Sequence, residues 1–463
     1  AVPTFFYILT QAKEDGSGFF LPYARKIESG GIIMLLSGSI FLITFIVLII
    51  DKIPRTIVAL TGAVAMLVFG VMNINEAMAF VSWETIGLLF GMFSLVAILS
   101  EAGFFQFLAL WVAEKLNYKA AAIFIVFPLL AAFLAAFIDS ITVMLFLVSL
   151  TYEISRCVDM NPIPLVVAEV CGANIGGSAT LVGDPPNVIL GTMLGFTFND
   201  FVTHTAPIAV IGAILCVFMF YLKEKKNIAA SSAACVASDG LRPSDKIKDR
   251  YLLKIGLAGF GVAIILLTTH TLIAHQFGIH ISVAEAALIP AIITILLGGH
   301  KTHDIIHRID LDVLLFFIGL FVIVGGLEKT HVIKFLADSM VSLSGGNPYI
   351  LLAFLLFGAG YTSGVVDNVP LALTMGVILK DISQTSNMLA LPIMVWSLAL
   401  GVDIGGNITP IGASANVVAY SSMEKFGSKV GWGRWIGYAF WPTAAVLGVC
   451  YILILLKLHI GWY

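Results

Sequence analysis

The chain has 463 residues, of which 59% are hydrophobic and only 11% are charged, and its mean hydropathy is +1.01. Soluble proteins average about 25% charged residues, so this composition excludes a soluble fold, which could not bury so much apolar surface. The net charge of −3 excludes little, because the charges of a membrane protein lie in its loops. No glycine-rich phosphate-binding loop occurs, so we do not expect this chain to hydrolyse ATP.

The predicted helices follow the same order in both halves of the chain. Crossing the hydrocarbon core takes about 20 apolar residues, and runs of this length recur throughout. Each half contains three apolar helices, two apolar arms joined at an aspartate, a segment interrupted by Gly, Pro and Asn, and one last helix. The first half places these at 31–50, 55–73, 85–101, around Asp139, at 163–195 and at 205–222; the second at 252–270, 283–298, 311–327, around Asp367, at 390–420 and at 436–456.

An internal repeat is the most informative feature of the sequence. CGANIGGSATLVGDPPNVI (171–189) recurs as LGVDIGGNITPIGASANVV (400–418) at a constant offset of 229 residues, and FIDSITVML recurs as VVDNVPLAL at an offset of 228. The fold class predicted is therefore an all-α polytopic membrane protein with two inverted-topology repeats, each with a re-entrant hairpin and a broken transmembrane helix. The predicted parts are an extracytoplasmic segment (1–30), repeat 1 (31–222), a cytoplasmic linker (223–250) and repeat 2 (251–463).

Charge counting predicts the orientation. If each aspartate-bearing pair of arms returns to its own side, each half crosses five times and the second half is inverted. One side then carries 18 of the 25 Lys and Arg residues, and still 10 against 7 without the linker. The positive-inside rule makes that side cytoplasmic and places both termini outside.

The interrupted segments predict a binding site. Gly176 to Asn187 contains Pro185 and Pro186, so a continuous helix is improbable there, and Gly405 to Asn416 is broken likewise. In lipid the freed backbone groups must be buried in protein or line a cavity. Such breaks at corresponding positions of two halves indicate the substrate site of a transporter, and free helix ends there offer partial charges.

Four aspartates are predicted to couple transport to a proton or a cation: Asp139, Asp184, Asp367 and Asp403. An ionised carboxylate at bilayer depth costs at least about 2.5 kcal/mol, so it pairs, binds a cation or takes a proton. A simple helix-capping role is the alternative for Asp139 and Asp367. Asp403 takes the place of Asn174, and Asp184 that of Ala413, so the two half-sites differ in charge.

Neutral donors and acceptors at the tips and breaks are predicted to bind the substrate. They are Ser140, Thr142, Asn174, Ser178, Thr180, Asn187, Asn368, Asn407, Thr409 and Asn416. Such groups suit a small oxygen-bearing solute or a partly dehydrated cation. His300, His303 and His307 have helical spacing but lie at a charged edge, so neither a metal site nor a cofactor is predicted.

These paired motifs resemble the signature segments of the arsenical-pump and melanosomal P-protein permease family. That family belongs to the ion transporter superfamily, with the NhaD sodium/proton antiporters and the divalent anion/sodium symporters. The resemblance covers nearly the whole chain from about residue 30. It implies a scaffold domain, a mobile transport domain that moves as an elevator, a homodimer, a place in the cell membrane and a possible separate ATPase subunit.

The leading functional hypothesis is a proton-coupled efflux permease for arsenite and antimonite. The tips, Asp-Ser-Ile-Thr and Asp-Asn-Val-Pro, differ from the Ser-Asn-Thr tips of dicarboxylate symporters and favour a cation, a proton or a neutral hydroxide. The alternatives are a sodium/proton antiporter and an anion transporter or channel of the P-protein type. An enzyme is not expected, because the spans contain neither a nucleophile–base pair nor a metal cluster. The expected partners are the small solute, protons or sodium, and the lipid bilayer, without nucleic acid.

Overall fold

A computed structural model describes residues 21–50, 52–229, 242–386 and 388–463, without the side chains of 21–30 and of His300. Residues 1–20 of the predicted N-terminal segment and 230–241 of the predicted linker lie outside the described residues. The described chain consists of helices and their connections, with no β-strand. The predicted all-α class is therefore confirmed.

The predicted helices are present, together with short helices that connect them. In the first half they are Leu21–Ile50, Arg55–Val68, Ile74–Phe80, Trp83–Glu101, Phe104–Lys115, Ala120–Ala135, Ser140–Cys157, Pro162–Gly177, Pro185–Leu194, Phe198–His204 and Ala206–Ala229. In the second half they are Arg250–Phe277, Val283–Leu297, Thr302–His307, Leu311–Lys329, Val332–Leu343, Pro348–Ser363 with a π-helical turn, Asn368–Thr385, Leu391–Gly405, Ser414–Lys425 and Trp432–Ile460.

Eight of the described helices are long and apolar enough to cross a membrane. They are Gly31–Ile50, Trp83–Glu101, Ser140–Cys157, Ala206–Ala229, Arg250–Phe277, Leu311–Lys329, Leu391–Ile408 and Trp432–Ile460. The multi-pass architecture is therefore confirmed. Ten crossings, re-entrant hairpins and an inverted second half remain predictions.

The described chain divides into two compact units, the described residues up to Val81 with Phe316–Leu336, and those from Ser82 to Leu315 with Ala337–Tyr463. Each unit combines helices from both halves of the sequence. In the first unit, the helix that contains Gly319 packs closely on Arg55–Val68, because a Cβ at Gly319 would lie 2.8 Å from the carbonyl carbon of Ala59.

The second unit contains the counterpart of this contact. A Cβ at Gly91 would lie 2.7 Å from the carbonyl carbon of Ala287. Gly91 and Gly319 are 228 residues apart, as are Ala59 and Ala287. The third helix of each half therefore packs on the second helix of the other half, so the sequence repeat recurs as a repeated packing contact.

Four pairs of helices carry the candidate site, and all lie in the second unit. We call Ala120–Ala135 and Ser140–Cys157 the first hairpin, and Pro348–Ser363 and Asn368–Thr385 the second hairpin. The first broken helix is Pro162–Gly177 followed by Pro185–Leu194, and the second is Leu391–Gly405 followed by Ser414–Lys425. Each break falls where Gly and Pro make a continuous helix unfavourable.

Both described ends of the predicted linker have defined structure. The helix before it continues to Ala229, and Lys248 donates its backbone N–H to the carbonyl of Ala102 at 3.0 Å. Asp249 caps the next helix by accepting from the N–H groups of Tyr251 and Leu252. The hydrogen bond from the Lys301 ammonium holds the pKa of Asp249 below its usual value. The end of the linker is therefore packed within the second unit.

Candidate transport site

The two tip aspartates each cap the helix that follows. The carboxylate of Asp139 accepts from the backbone N–H of Thr142 at 2.8 Å, and that of Asp367 accepts from the N–H of Val369 at 3.1 Å. Asp367 also accepts from the hydroxyl of Ser414 at 3.0 Å. The capping role considered for both aspartates is therefore present. Asp367 is in addition linked to the second broken helix.

Asp184 joins both hairpin tips. Its carboxylate accepts from the Ser140 hydroxyl at 2.7 Å and from the Asn368 amide at 2.9 Å. The residue is only 2% exposed, and no lysine or arginine of the described chain bonds to it. Ser140 and Asn368 occupy equivalent positions in the two hairpins, whereas Ala413 occupies the position equivalent to Asp184. One carboxylate therefore accepts hydrogen bonds from equivalent residues of the two tips.

The two broken helices meet at a cluster of asparagines. The side-chain amide of Asn174 donates to the side-chain oxygens of Asn407 at 2.8 Å and Asn416 at 2.9 Å. At the position equivalent to Asn174, Asp403 is fully buried and is faced by Asn187. Neither oxygen of Asp403 has a hydrogen-bond partner of good geometry in the described chain.

The unpartnered atoms of this centre are mostly acceptors. Besides both oxygens of Asp403, they include the side-chain oxygens of Asn174 and Asn187, against a single donor, the amide nitrogen of Asn407. Buried polar atoms are normally hydrogen-bonded, so a set of open acceptors indicates a place for something that donates. A proton, a cation or a solute with several O–H groups fits this requirement.

Other predicted residues hold the breaks together. The Asn187 amide donates to the carbonyls of Gly177 at 2.9 Å and Thr180 at 3.1 Å, and the Asn416 amide bonds the matching carbonyls of its own break. Ser178 donates to the carbonyl of Ile175 at 2.7 Å. These donors are used within the protein, and a role of Asn187, Asn416, Ser178 or Thr142 in substrate binding remains a prediction.

Thr180 and Thr409 tie each break to its hairpin. The Thr180 hydroxyl donates to the carbonyl of Ala136, and the Thr409 hydroxyl donates to the carbonyl of Gly364. We expect Thr180→Val and Thr409→Val each to destabilise the protein by about 1 to 3 kcal/mol, because a buried carbonyl loses its donor. Thermal unfolding in detergent measures the change. The control variants Thr180→Ser and Thr409→Ser keep the hydroxyl, and an equal loss in them would contradict the hydrogen-bond explanation.

An apolar cleft borders Asp139. Its lining comes from the helix Trp83–Glu101, from the first tip and from the first broken helix: Leu88, Leu89, Met92, Phe93, Val96, Phe137, Ile138, Val182, Pro185 and Val188. Asp139 therefore borders apolar side chains, whereas Asp184 accepts from two polar side chains.

Two polar residues near the site were missed by the sequence prediction. Ser414 bonds Asp367, and Glu169 is fully buried in the first broken helix. Ser414 stands where the first copy has Pro185, so a comparison of matching residues passes over it. The signal for Glu169 was a lone acid in an otherwise apolar run, Leu165 to Val170.

A multi-pass helical protein in which two broken helices and two hairpin tips meet at buried carboxylates and asparagines has the construction of a secondary transporter. Residues 45–401 match the family described as citrate transporter, and the chain belongs to that family.

Curated relatives support this class. The chain is 33% identical to an uncharacterized transporter of Mycobacterium bovis, over 90% of this chain and 97% of the relative. It is 27% identical to the P protein of Mus musculus, over 96% of this chain and 62% of that protein, so the predicted similarity to P protein is confirmed.

The fold is similar to two solved transporters. The YdaH transporter of Alcanivorax borkumensis has a TM-score of 0.57 at 13% identity, covering 84% of this chain and 88% of that chain. MtrF of Neisseria gonorrhoeae, described within a class of antimetabolite efflux pumps, has a TM-score of 0.56 at 12% identity, covering 85% and 84%. These likenesses concern the fold alone.

Proposed function

We propose that this transporter is proton-coupled and exports a small oxygen-rich solute, with arsenite and antimonite as the leading candidates. The observation that carries this proposal is Asp184, a buried carboxylate held by both hairpin tips without a lysine or arginine partner in the described chain. A carboxylate in such a place is stable when it binds a proton, a cation or a hydrogen-bond donor.

The charge of the site favours a neutral or cationic solute. Asp184 and Asp403 are both buried there, and the one lysine among the buried side chains of the described chain, Lys457, is in the last helix, Trp432–Ile460. Arsenite near neutral pH is an uncharged trihydroxide. Its three O–H groups match the open acceptors of Asp403, Asn174 and Asn187.

Citrate is a second candidate because the family that matches residues 45–401 is described as citrate transporter. A free citrate anion would meet the carboxylates of Asp184 and Asp403 without a compensating cation. Like charges in a low-dielectric site repel strongly. Citrate therefore suits this site as a complex with a divalent cation or in a protonated form. A sodium/proton antiporter and an anion channel are the remaining alternatives.

The transport cycle follows from protonation. When Asp184 or Asp403 takes a proton from outside, it loses its charge and its need for a donor from the solute, so the solute leaves. Release of the proton to the inside restores the carboxylate and its affinity for the solute.

We propose that the hairpins and broken helices move as an elevator in a homodimer in the cell membrane, with residues 242–250 cytoplasmic, the C-terminus outside and a possible separate ATPase subunit.

Transport by purified protein in proteoliposomes tests the proposal. Labelled arsenite, citrate with and without Mg²⁺, and Na⁺ are each supplied with an imposed proton gradient and without one. Proton-driven arsenite movement supports the leading proposal, and proton-driven citrate movement only with Mg²⁺ supports the second. Sodium-driven proton movement without solute flux, or a current without proton coupling, would overturn both.

A further inference from the structure

Glu169 is a buried acid outside the central site. It is 0% exposed in the helix Pro162–Gly177, and one of its carboxylate oxygens accepts from the Thr151 hydroxyl at 2.6 Å. The other oxygen has no hydrogen-bond partner in the described chain. Ser155, one helical turn after Thr151, has a buried hydroxyl that is also unpartnered. Residues four apart share one face of a helix, so Ser155 lies on the same face as Thr151.

The second copy of the repeat provides an internal comparison. At an offset of 228, Leu379 takes the place of Thr151, and at an offset of 229, Leu398 takes the place of Glu169. Both leucines are fully buried. At equivalent positions, one copy therefore has two buried leucines and the other a hydroxyl–carboxyl pair. Since leucines are sufficient for packing, the polar pair has another role.

No opposite charge balances Glu169. No ion pair joins it to a lysine or arginine in the described chain, and an unbalanced buried carboxylate in practice takes up a proton. The titratable groups on the helices packed against Pro162–Gly177 and on that helix itself are Tyr152, Glu153, Arg156, Cys171, Cys216, Tyr221, Lys223, Glu224, Lys225, Lys226, Asp403, Tyr420, Glu424, Lys425, Arg434, Tyr438, Cys450, Tyr451, Lys457 and His459.

Glu169 lies between the central carboxylates and one end of the molecule. At 1.5 Å per residue it is about 10 Å from the start of its helix at Pro162 and about 12 Å from the break after Gly177. Arg156 and the end of Ser140–Cys157 precede this start in the chain. By charge counting this end faces the cytoplasm.

We propose that Glu169, with Thr151, is a second proton-binding site that passes protons between the central aspartates and water at the Pro162 end of the helix. This inference rests on the proposed proton coupling. A protonated central aspartate gives up its proton and becomes a carboxylate, and the Glu169 carboxylate takes up that proton and becomes a carboxylic acid. Glu169 then returns the proton to water. Thr151 donates to the carboxylate.

Glu169→Gln tests the site because glutamine keeps the size and can accept from Thr151 but cannot exchange a proton. We expect proton-driven uptake in proteoliposomes to fall at least about tenfold, since a proton-transfer group is lost, and its pH profile to flatten. The double variant Thr151→Leu with Glu169→Leu reproduces the leucines of the second copy and should fold with the same loss. Leu398→Met, at the equivalent position, is the control. Full proton-driven uptake in Glu169→Gln would overturn the proposal.

Infrared spectroscopy separates this inference from the proposed function. A protonated carboxylic acid has its own C=O band, and we expect one band of the wild-type protein to titrate with pH, to vanish in Glu169→Gln and to remain in Asp184→Asn. If the wild-type protein shows this band but no proton-driven transport, the proposed coupling fails while the proton-binding site stands. If no titrating band is lost in Glu169→Gln, the site is wrong.

Discussion

Gly176→Ala and Gly405→Ala are each expected to abolish transport and to destabilise the protein by at least about 3 kcal/mol. A Cβ at Gly176 would lie 2.0 Å from the carbonyl oxygen of Ala132, and a Cβ at Gly405 would lie 2.1 Å from that of Gly360. Both obstacles are backbone atoms, so relief requires movement of a whole hairpin arm away from its broken helix. Such a movement would also disturb the Thr180 or Thr409 contact between the same elements.

Unfolding midpoints in detergent and proteoliposome transport measure these effects. Gly448→Ala is the matched control, because it is also helical but has no atom within 4 Å of its added Cβ. It should leave stability unchanged or slightly increased, since alanine favours helix over glycine. A Gly176→Ala protein as stable as Gly448→Ala would mean that the hairpin and the broken helix are packed less closely than described.

The sequence repeat predicted the helices and their breaks well, because both depend on the local sequence. Proline and glycine interrupt both broken helices where the pattern placed the breaks, and each tip aspartate begins a helix. The packing of each half's third helix on the second helix of the other half could not be predicted in this way. A constant offset identifies equivalent residues, such as Gly91 and Gly319, but says nothing about which helices touch.

The candidate site, too, was predicted only in part from the sequence. Offsets pair Asn174 with Asp403, yet in space Asn174 contacts Asn407 and Asn416 of the other copy. Asp184 has no acidic counterpart, and only the fold shows that both tips reach it. Glu169 was missed for a related reason, since a search for matching residues passes over a residue whose counterpart is leucine. The differences between the copies therefore point to function more directly than their similarities.

Asp184→Asn is expected to reduce proton-driven transport by at least about tenfold, because it removes a charged hydrogen-bond acceptor worth about 1.5 to 3 kcal/mol. Asparagine has the same shape as aspartate and leaves packing intact, but it neither binds nor releases a proton. It also turns one side-chain acceptor into a donor, which then meets the hydroxyl of Ser140 or the amide of Asn368. Initial rates in proteoliposomes, measured with and without a proton gradient, give the effect.

Ser140→Ala and Asn368→Ala show whether Asp184 acts as the link between the two tips. Each removes one donor and leaves the other, so each should cost less than Asp184→Asn, and the two losses should be similar because the donors are equivalent. Combining either with Asp184→Asn should add little, since all three residues form one hydrogen-bonded unit. Proton-driven transport that survives in Asp184→Asn but disappears in Asp403→Asn would instead assign coupling to the unpartnered carboxylate between the broken helices.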